Sequence, residues 1–223
     1  MRLHHGAAAR GLFFLENGIA FLNHGSYGLT PRAVLAEQRR WQLRLERQPV
    51  RFMTGELPAL LPRAASALAG FLGAEAQDLV LVENATTGVN AVLRSIDLAP
   101  GEEVLVIDQV YPAVRNAVRH LCMRAGAAMV EAPLALPIAD EGAVVEQVRA
   151  RLTPRTRLLV VDLVTSPTAA VLPVAALAKQ AKAAGARVLV DAAHGPGQVE
   201  LDLPSLGADW VTGNAHKWLF APK

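Results

Sequence analysis

The stretch RLLVVDLVTSPTAAVLPVAALAKQAKAAGARVLVDAAHGPG, residues 157–197, decides how the chain is read. It opens with RLLVVDLV, in which LLVV is an unbroken apolar run. A loop of small and hydroxyl residues follows, then the helix VAALAKQAKAAG, which ends at Gly185. A second apolar run, VLV, then leads into Asp191. Strands that are apolar at every position, rather than at alternate ones, belong in a sheet buried on both faces. Two such strands joined by a helix form the repeating unit of a parallel sheet.

The same rhythm extends outward. On the amino-terminal side lie the apolar runs LVLVE (residues 79–83), EVLVID (103–108) and AAMVEA (127–132). Between them fall helices beginning at NATTGV, at PAVRNAV and after Asp140, which caps EGAVVEQVRARL. On the carboxyl side lies ADWVTG (208–213). The expected fold is therefore α/β: a three-layer sandwich around a mostly parallel sheet. Ahead of it, Thr30 is expected to cap the helix RAVLAEQRRWQLRLER, with Pro31 in its first turn. A further helix, LPALLPRAASALAGFLG, stops at Gly73. Residues 1–60 read as an N-terminal arm and helical segment, and residues 61–223 as the sheet domain.

Composition narrows the function. Hydrophobic residues are 52% and charged residues 19% of 223, a globular balance, and the net charge is only +2. No basic run is interleaved with aromatics; RLERQPVR, the densest, carries an acid and reads as a solvated helix face. Nucleic-acid binding is not expected. No stretch approaches the roughly 20 apolar residues of a membrane span. The apolar run near the N-terminus is broken by Glu16 and Asn17, unlike a signal peptide. The single cysteine, Cys122, lies in an apolar helical pattern and reads as a buried structural thiol. A cytoplasmic location is expected. His4, His5, His24, His120, His194 and His216 are scattered, so no metal site is expected.

In parallel sheets ligands bind beyond the carboxyl ends of the strands, so the candidate site residues are those that follow each strand. After residue 83 come Ala85, Thr86 and Thr87 at a helix start, where backbone N–H groups and the helix dipole favour an anion, although, taken alone, an ordinary cap by Thr86 is the simpler account. After residue 108 comes Tyr111, able to stack on a flat ring or simply to pack. Thr165, Ser166 and Thr168 bring hydroxyls. Asp191 ends an apolar strand, where a buried carboxylate needs a cationic partner, and His194 follows three residues on. Lys217 follows the last strand on a loop, where an ε-amine can form a Schiff base with an aldehyde. A phosphate cradle, a ring stacker, an acid for a ring nitrogen and a lysine for an aldehyde together describe pyridoxal 5′-phosphate.

These motifs bring a resemblance. FLNHGSYGLTPRAV, QPVRF, ENATTGVNAVL, VTSPTAAVLPV, VDAAHGPGQVELDL and ADWVTGNAHKWLFAPK resemble the fold-type I pyridoxal-phosphate enzymes. Within them they resemble the class V aminotransferase group and its isopenicillin-N-epimerase-like branch. The likeness runs from about Phe13 to Lys223. It implies that Lys217 holds the cofactor as a Schiff base and moves the substrate α-proton. Asp191 would pair with the ring nitrogen and His194 lie near the phenolic oxygen. Tyr111 would stack on the ring. Ala85, Thr86, Thr87, Asn214 and His216 would hold the phosphate, and Thr165 or Ser166 line the ring edge. Asn23, His24, Tyr27 and Arg51 would lie near an amino-acid substrate.

Two departures stand out. Leu163 occupies a position where the branch leads one to expect histidine, and Asn214 replaces a serine common in the desulfurase relatives. The resemblance also implies a further sheet strand and a C-terminal domain beyond Lys223, so the chain is expected to be C-terminally truncated, and a homodimer in its intact form. Three functions stay open: an aminotransferase or epimerase acting on an amino acid, a cysteine desulfurase or related lyase, and a non-catalytic fragment of such an enzyme. A nicotinamide site is excluded, because Gly195-Pro196-Gly197 lacks the third glycine of the dinucleotide fingerprint and does not follow the first strand.

Overall fold

The computed structural model describes residues 6–223, so His4 and His5 lie outside it. Its centre is a five-stranded, all-parallel sheet of β1 (Glu103–Ile107), β2 (Ala128–Ala132), β3 (Thr156–Asp162), β4 (Arg187–Ala192) and β5 (Trp210–Gly213). The strand order is β2-β1-β3-β4-β5. The helices are α1 (Ala7–Arg10), α2 (Arg32–Arg47), α3 (Pro49–Arg51), α4 (Leu57–Leu72), α5 (Ala85–Arg94), α6 (Pro112–Ala125), α7 (Glu141–Arg149) and α8 (Val174–Ala183).

The described residues divide into two compact units. One holds residues 6–71, Glu75–Val80 and Ala215–Lys223; the other holds Leu72–Ala74 and Leu81–Asn214.

The second unit contains the sheet. Successive strand residues point to opposite faces, yet residues 104–107, 158–161 and 188–190 are all buried completely. Both faces are therefore covered, by α5 and α6, which pack together, and by α7 and α8, which do likewise. Burying each such Val or Leu contributes about 1.5–3 kcal/mol relative to leaving it in water, which is why these runs are apolar without alternation. Cys122 joins this core, and burial pushes its thiol pKa up.

At the amino-terminal end of the sheet a buried carboxylate is held by the protein itself. Glu103 accepts from Thr153 Oγ1 at 2.6 Å and from Arg155 Nε at 2.8 Å and Nη2 at 2.5 Å, with Thr156 Oγ1 at 3.5 Å. The Thr153 hydroxyl, aided by Arg155, holds the Glu103 pKa below the usual carboxylate range, against burial, which raises it. Asp140 caps α7 as expected, accepting from the Ala143 N–H at 2.8 Å.

The first unit carries α1 to α4 and the segment from Ala215. Between α3 and α4 lies a π-helical turn, Phe52–Glu56. Its Glu56 accepts from Arg44 Nε at 2.8 Å and lies 3.6 Å from Arg51 Nε, so the basic stretch RLERQPVR is a solvated, internally paired surface.

Two local expectations are corrected. LVLVE is not a strand: residues 79–82 pair with no neighbour among the described residues, and Val80 is 79% exposed. Apolar, β-prone sequence makes a strand only where another backbone completes its hydrogen bonds. Thr30 does not cap α2. Pro31 occupies the cap position without a side-chain bond, and the Thr30 hydroxyl donates to the Ala221 carbonyl at 3.1 Å.

Candidate active site

The carboxyl edge of the sheet in the second unit gathers several of the expected residues. Asn214 follows β5 directly, and its Oδ1 accepts from the Ala85 N–H at 2.9 Å. That bond ties the first residue of α5 to the end of the sheet across 129 positions of sequence. The next turn of α5 is closed by Asn84, whose Oδ1 accepts from the Thr87 N–H at 2.9 Å. The cap is thus Asn84 and not Thr86. The Thr86 amide and the Thr86 and Thr87 hydroxyls lie at the positive end of this ten-residue helix.

Beside this helix end lies a row of buried polar side chains. Asp162, Asp191 and Thr212 stand opposite one another on β3, β4 and β5. Paired residues of neighbouring strands share a face of the sheet, and all three are buried. That face looks toward α5: a Cβ placed on Gly88 would meet Thr212 Cγ2 at 3.0 Å. Only glycine lets the helix come so close. Asp191 Oδ1 accepts from the Ala193 N–H at 2.9 Å. Thr212 Oγ1 is buried without a hydrogen-bond partner among the described residues, a costly arrangement unless the site has a polar occupant.

His194 is half-buried in the turn that follows β4, closed by the Gly195 N–H bonding to the Ala192 carbonyl at 2.8 Å. Tyr111 lies after β1 at the same edge of the sheet. It is exposed and leads into Pro112 at the start of α6. Thr165 is buried, and its hydroxyl serves its own loop: it accepts from the Ala170 N–H at 2.9 Å and lies 2.7 Å from Thr168 Oγ1. Ser166 is exposed beside it. Leu163 is buried at the end of β3. A Cβ on Gly195 would fall 2.7 Å from its Cδ2, so this leucine fills the space beneath the His194 turn.

The remaining expected residues belong to the first unit. Lys217 sits three residues beyond Asn214 in the chain, within the loop that follows β5. His216 is half-buried, and its pKa is lowered by burial and then by the charges of Lys217 and Lys223. His24 lies among rings: Phe21 at 5.2 Å, Phe220 at 4.8 Å and Trp218 at 5.8 Å between centroids. Burial lowers its pKa. Asn23 closes a turn, its Oδ1 accepting from the Ser26 N–H at 3.2 Å. Tyr27 is exposed, and Arg51 faces Glu56.

Sequence reasoning passed over Asp162, Thr212 and Asn84. Asp162 carried a readable signal, because it closes an apolar run just as Asp191 does. Thr212 carried none, because only strand register sets it beside Asp191. Among the described residues no group of three or more His, Cys, Asp or Glu side chains could hold a metal ion. No described helix is long and apolar enough to cross a membrane.

The chain is 38% identical to an isopenicillin N epimerase of Amycolatopsis lactamdurans, over 97% of this chain and 55% of that protein. It is 36% identical to a putative L-cysteine desulfhydrase of Oryza sativa subsp. japonica, over 93% of this chain and 46% of that protein. Among solved structures, a C-DES mutant with glycine covalently linked to its PLP cofactor matches with a TM-score of 0.87 at 25% identity, over 96% of this chain and 57% of that one. The chain thus spans about half the length of these relatives. The family model described as aminotransferase class-V matches residues 29–223, and the chain accordingly belongs to the aminotransferase class-V family.

Proposed function

We propose that the intact protein is a pyridoxal-phosphate-dependent enzyme acting on an amino acid, with Lys217 as the residue that captures the cofactor. The observation that carries this reading is the buried carboxylate row at the sheet edge, facing the start of α5. A phosphate needs N–H and hydroxyl donors at a positive helix end, and Thr86 and Thr87 offer them. A protonated ring nitrogen needs a buried anion, and Asp191 is one. The unpartnered Thr212 hydroxyl beside it suits a polar occupant. The donor set fits this cofactor.

When bound, pyridoxal phosphate supplies an aldehyde for an amine and a ring that withdraws electrons from the substrate's α-carbon. The protein's part is positional and electrostatic. Asp191 would hold a proton at the ring nitrogen, and His194 would serve the phenolic oxygen. Tyr111 would cover the ring, with Ser166 or Thr165 at its edge. Ala85, Thr86 and Thr87 would anchor the phosphate, helped by Asn214 and His216. The Lys217 amine would hold the cofactor and move a proton at the substrate α-carbon, and Asn23, His24, Tyr27 and Arg51 would serve the substrate side. The intact protein is further proposed to be a homodimer in the cytoplasm, where a lone, buried cysteine stays reduced.

Incubating the chain with pyridoxal phosphate, reducing with borohydride and mapping the adduct by mass spectrometry tests the assignment. The expected label is on Lys217 and is lost in Lys217→Ala; a label on other lysines in both proteins would overturn it.

A second reading is a carbon–sulfur lyase, favoured by the likeness to proteins named L-cysteine desulfhydrase. A desulfurase that parks sulfur on a cysteine of this chain is disfavoured, because Cys122 is in the core with its thiol pKa raised. Assaying the full-length protein for sulfide release from cysteine, against epimerisation and amino transfer, separates the two readings.

A further inference from the structure

The loop carrying Lys217 is closed on itself by the Ala221 N–H, which donates to the Ala215 carbonyl at 3.0 Å. Phe220, inside it, has a φ of 59°. Against this loop lies the turn Asn23-His24-Gly25-Ser26-Tyr27-Gly28, in which Tyr27 has a φ of 69°. Non-glycine residues hold such left-handed conformations only where their surroundings over-determine them.

Three contacts join turn and loop. Gly28 has a φ of 73°, and a Cβ placed there would fall 2.0 Å from the His216 carbonyl oxygen and 3.0 Å from that of Lys217. Gly28 thus packs against the carbonyls of His216 and Lys217 more closely than any side chain would allow. The Thr30 hydroxyl donates to the Ala221 carbonyl at 3.1 Å. The His24 ring lies against Trp218 and Phe220, while its Nδ1 accepts from the Leu29 N–H at 3.4 Å. The turn itself is stiffened by Asn23, which accepts from the Ser26 N–H and donates from Nδ2 to Ser26 Oγ at 3.0 Å.

We propose that this turn, through Gly28, Thr30 and His24, is a positioning brace that fixes the backbone from which the Lys217 side chain is presented. It rests on the reading of Lys217 as the capturing amine, and it makes that residue's placement depend on a segment about 190 positions away in sequence. A lysine side chain has four rotatable bonds, so its amine is directed only if the backbone beneath it is held. Gly28, Thr30 and His24 are positioning residues here, because their contacts are with the loop that carries Lys217.

Two measurements test this on the full chain. The first is hydrogen exchange of residues 215–221, made without cofactor. The second is the rate of borohydride-trapped adduct formation at Lys217 with pyridoxal phosphate. Thr30→Val removes one hydrogen bond, and exchange in the loop should rise on the order of fivefold with slower trapping, while exchange in the sheet strands stays unchanged. Thr30→Ser, which keeps the hydroxyl, should restore both. Gly28→Ala should slow trapping by more than about tenfold, since both the φ and the close carbonyl oppose a side chain. If Gly28→Ala does not fold, the Thr30 pair decides alone. Unchanged loop exchange in Thr30→Val, or exchange that rises equally in the strands, would overturn the brace. If the wild-type chain traps nothing at Lys217, the cofactor reading fails, and loop exchange still judges the brace.

Discussion

The two ends of the parallel sheet contrast in how they treat buried polar groups. At the amino-terminal end, Glu103 is enclosed by Thr153, Arg155 and Thr156, so its charge is answered within the protein. At the carboxyl end, Asp162, Asp191 and Thr212 stand side by side in the interior, Thr212 Oγ1 has no partner among the described residues, and α5 begins beside them. The first end is built for stability. The second leaves the buried Thr212 hydroxyl unanswered among the described residues, and proteins tolerate such groups where function repays them.

Altering the two ends should therefore fail differently. The largest effect is expected from Asp191→Asn. It keeps the shape and removes the charge, so pyridoxal phosphate should bind on the order of ten- to a hundredfold more weakly, the loss of one charge-assisted hydrogen bond. Titrating the visible absorbance of bound cofactor checks this; equal affinity would end the assignment of Asp191 to the ring nitrogen. Glu103→Gln should leave cofactor capture intact and lower unfolding stability by about 1–3 kcal/mol at pH 7, read from urea denaturation. A change in capture would erase the contrast between the ends.

That stability difference should also depend on pH in a defined direction. The folded pKa of Glu103 is depressed, chiefly by the Thr153 hydroxyl. Its contribution is complete above the unfolded value of about 4.3 and is lost as pH falls through the folded one. Wild-type and Glu103→Gln stabilities should converge below about pH 4; a gap that widens there would contradict the sign. The smallest effects come from two caps of the same kind. Asn84→Ala and Asp140→Ala should each cost about 1 kcal/mol, but only Asn84→Ala, at the start of α5, should also weaken cofactor capture.

Much of the sheet was legible beforehand. The strands around Leu105, Val160 and Val190 follow from unbroken apolar runs, which only a doubly covered sheet can use. Asp191 and Lys217 were legible as polar residues at or just beyond strand ends. Residues 79–82 were misread because pairing is a property of two backbones, and Val80 has an apolar side chain but no neighbour to complete it. Thr30 was misread because a hydroxyl near a helix start looks the same whether it caps that helix or reaches Ala221.

Periodicity, then, sufficed for the elements of the sheet and for their order along the chain, because burial and helix geometry act locally on the pattern of side chains. Register did not follow from it. That Asp162, Asp191 and Thr212 share one face, that Asn214 reaches Ala85, and that Gly28 lies on the carbonyl of His216 all depend on how distant segments align. Such alignments are decided by close packing and by hydrogen bonds between residues that no local pattern relates, and they were settled only when the chain had folded.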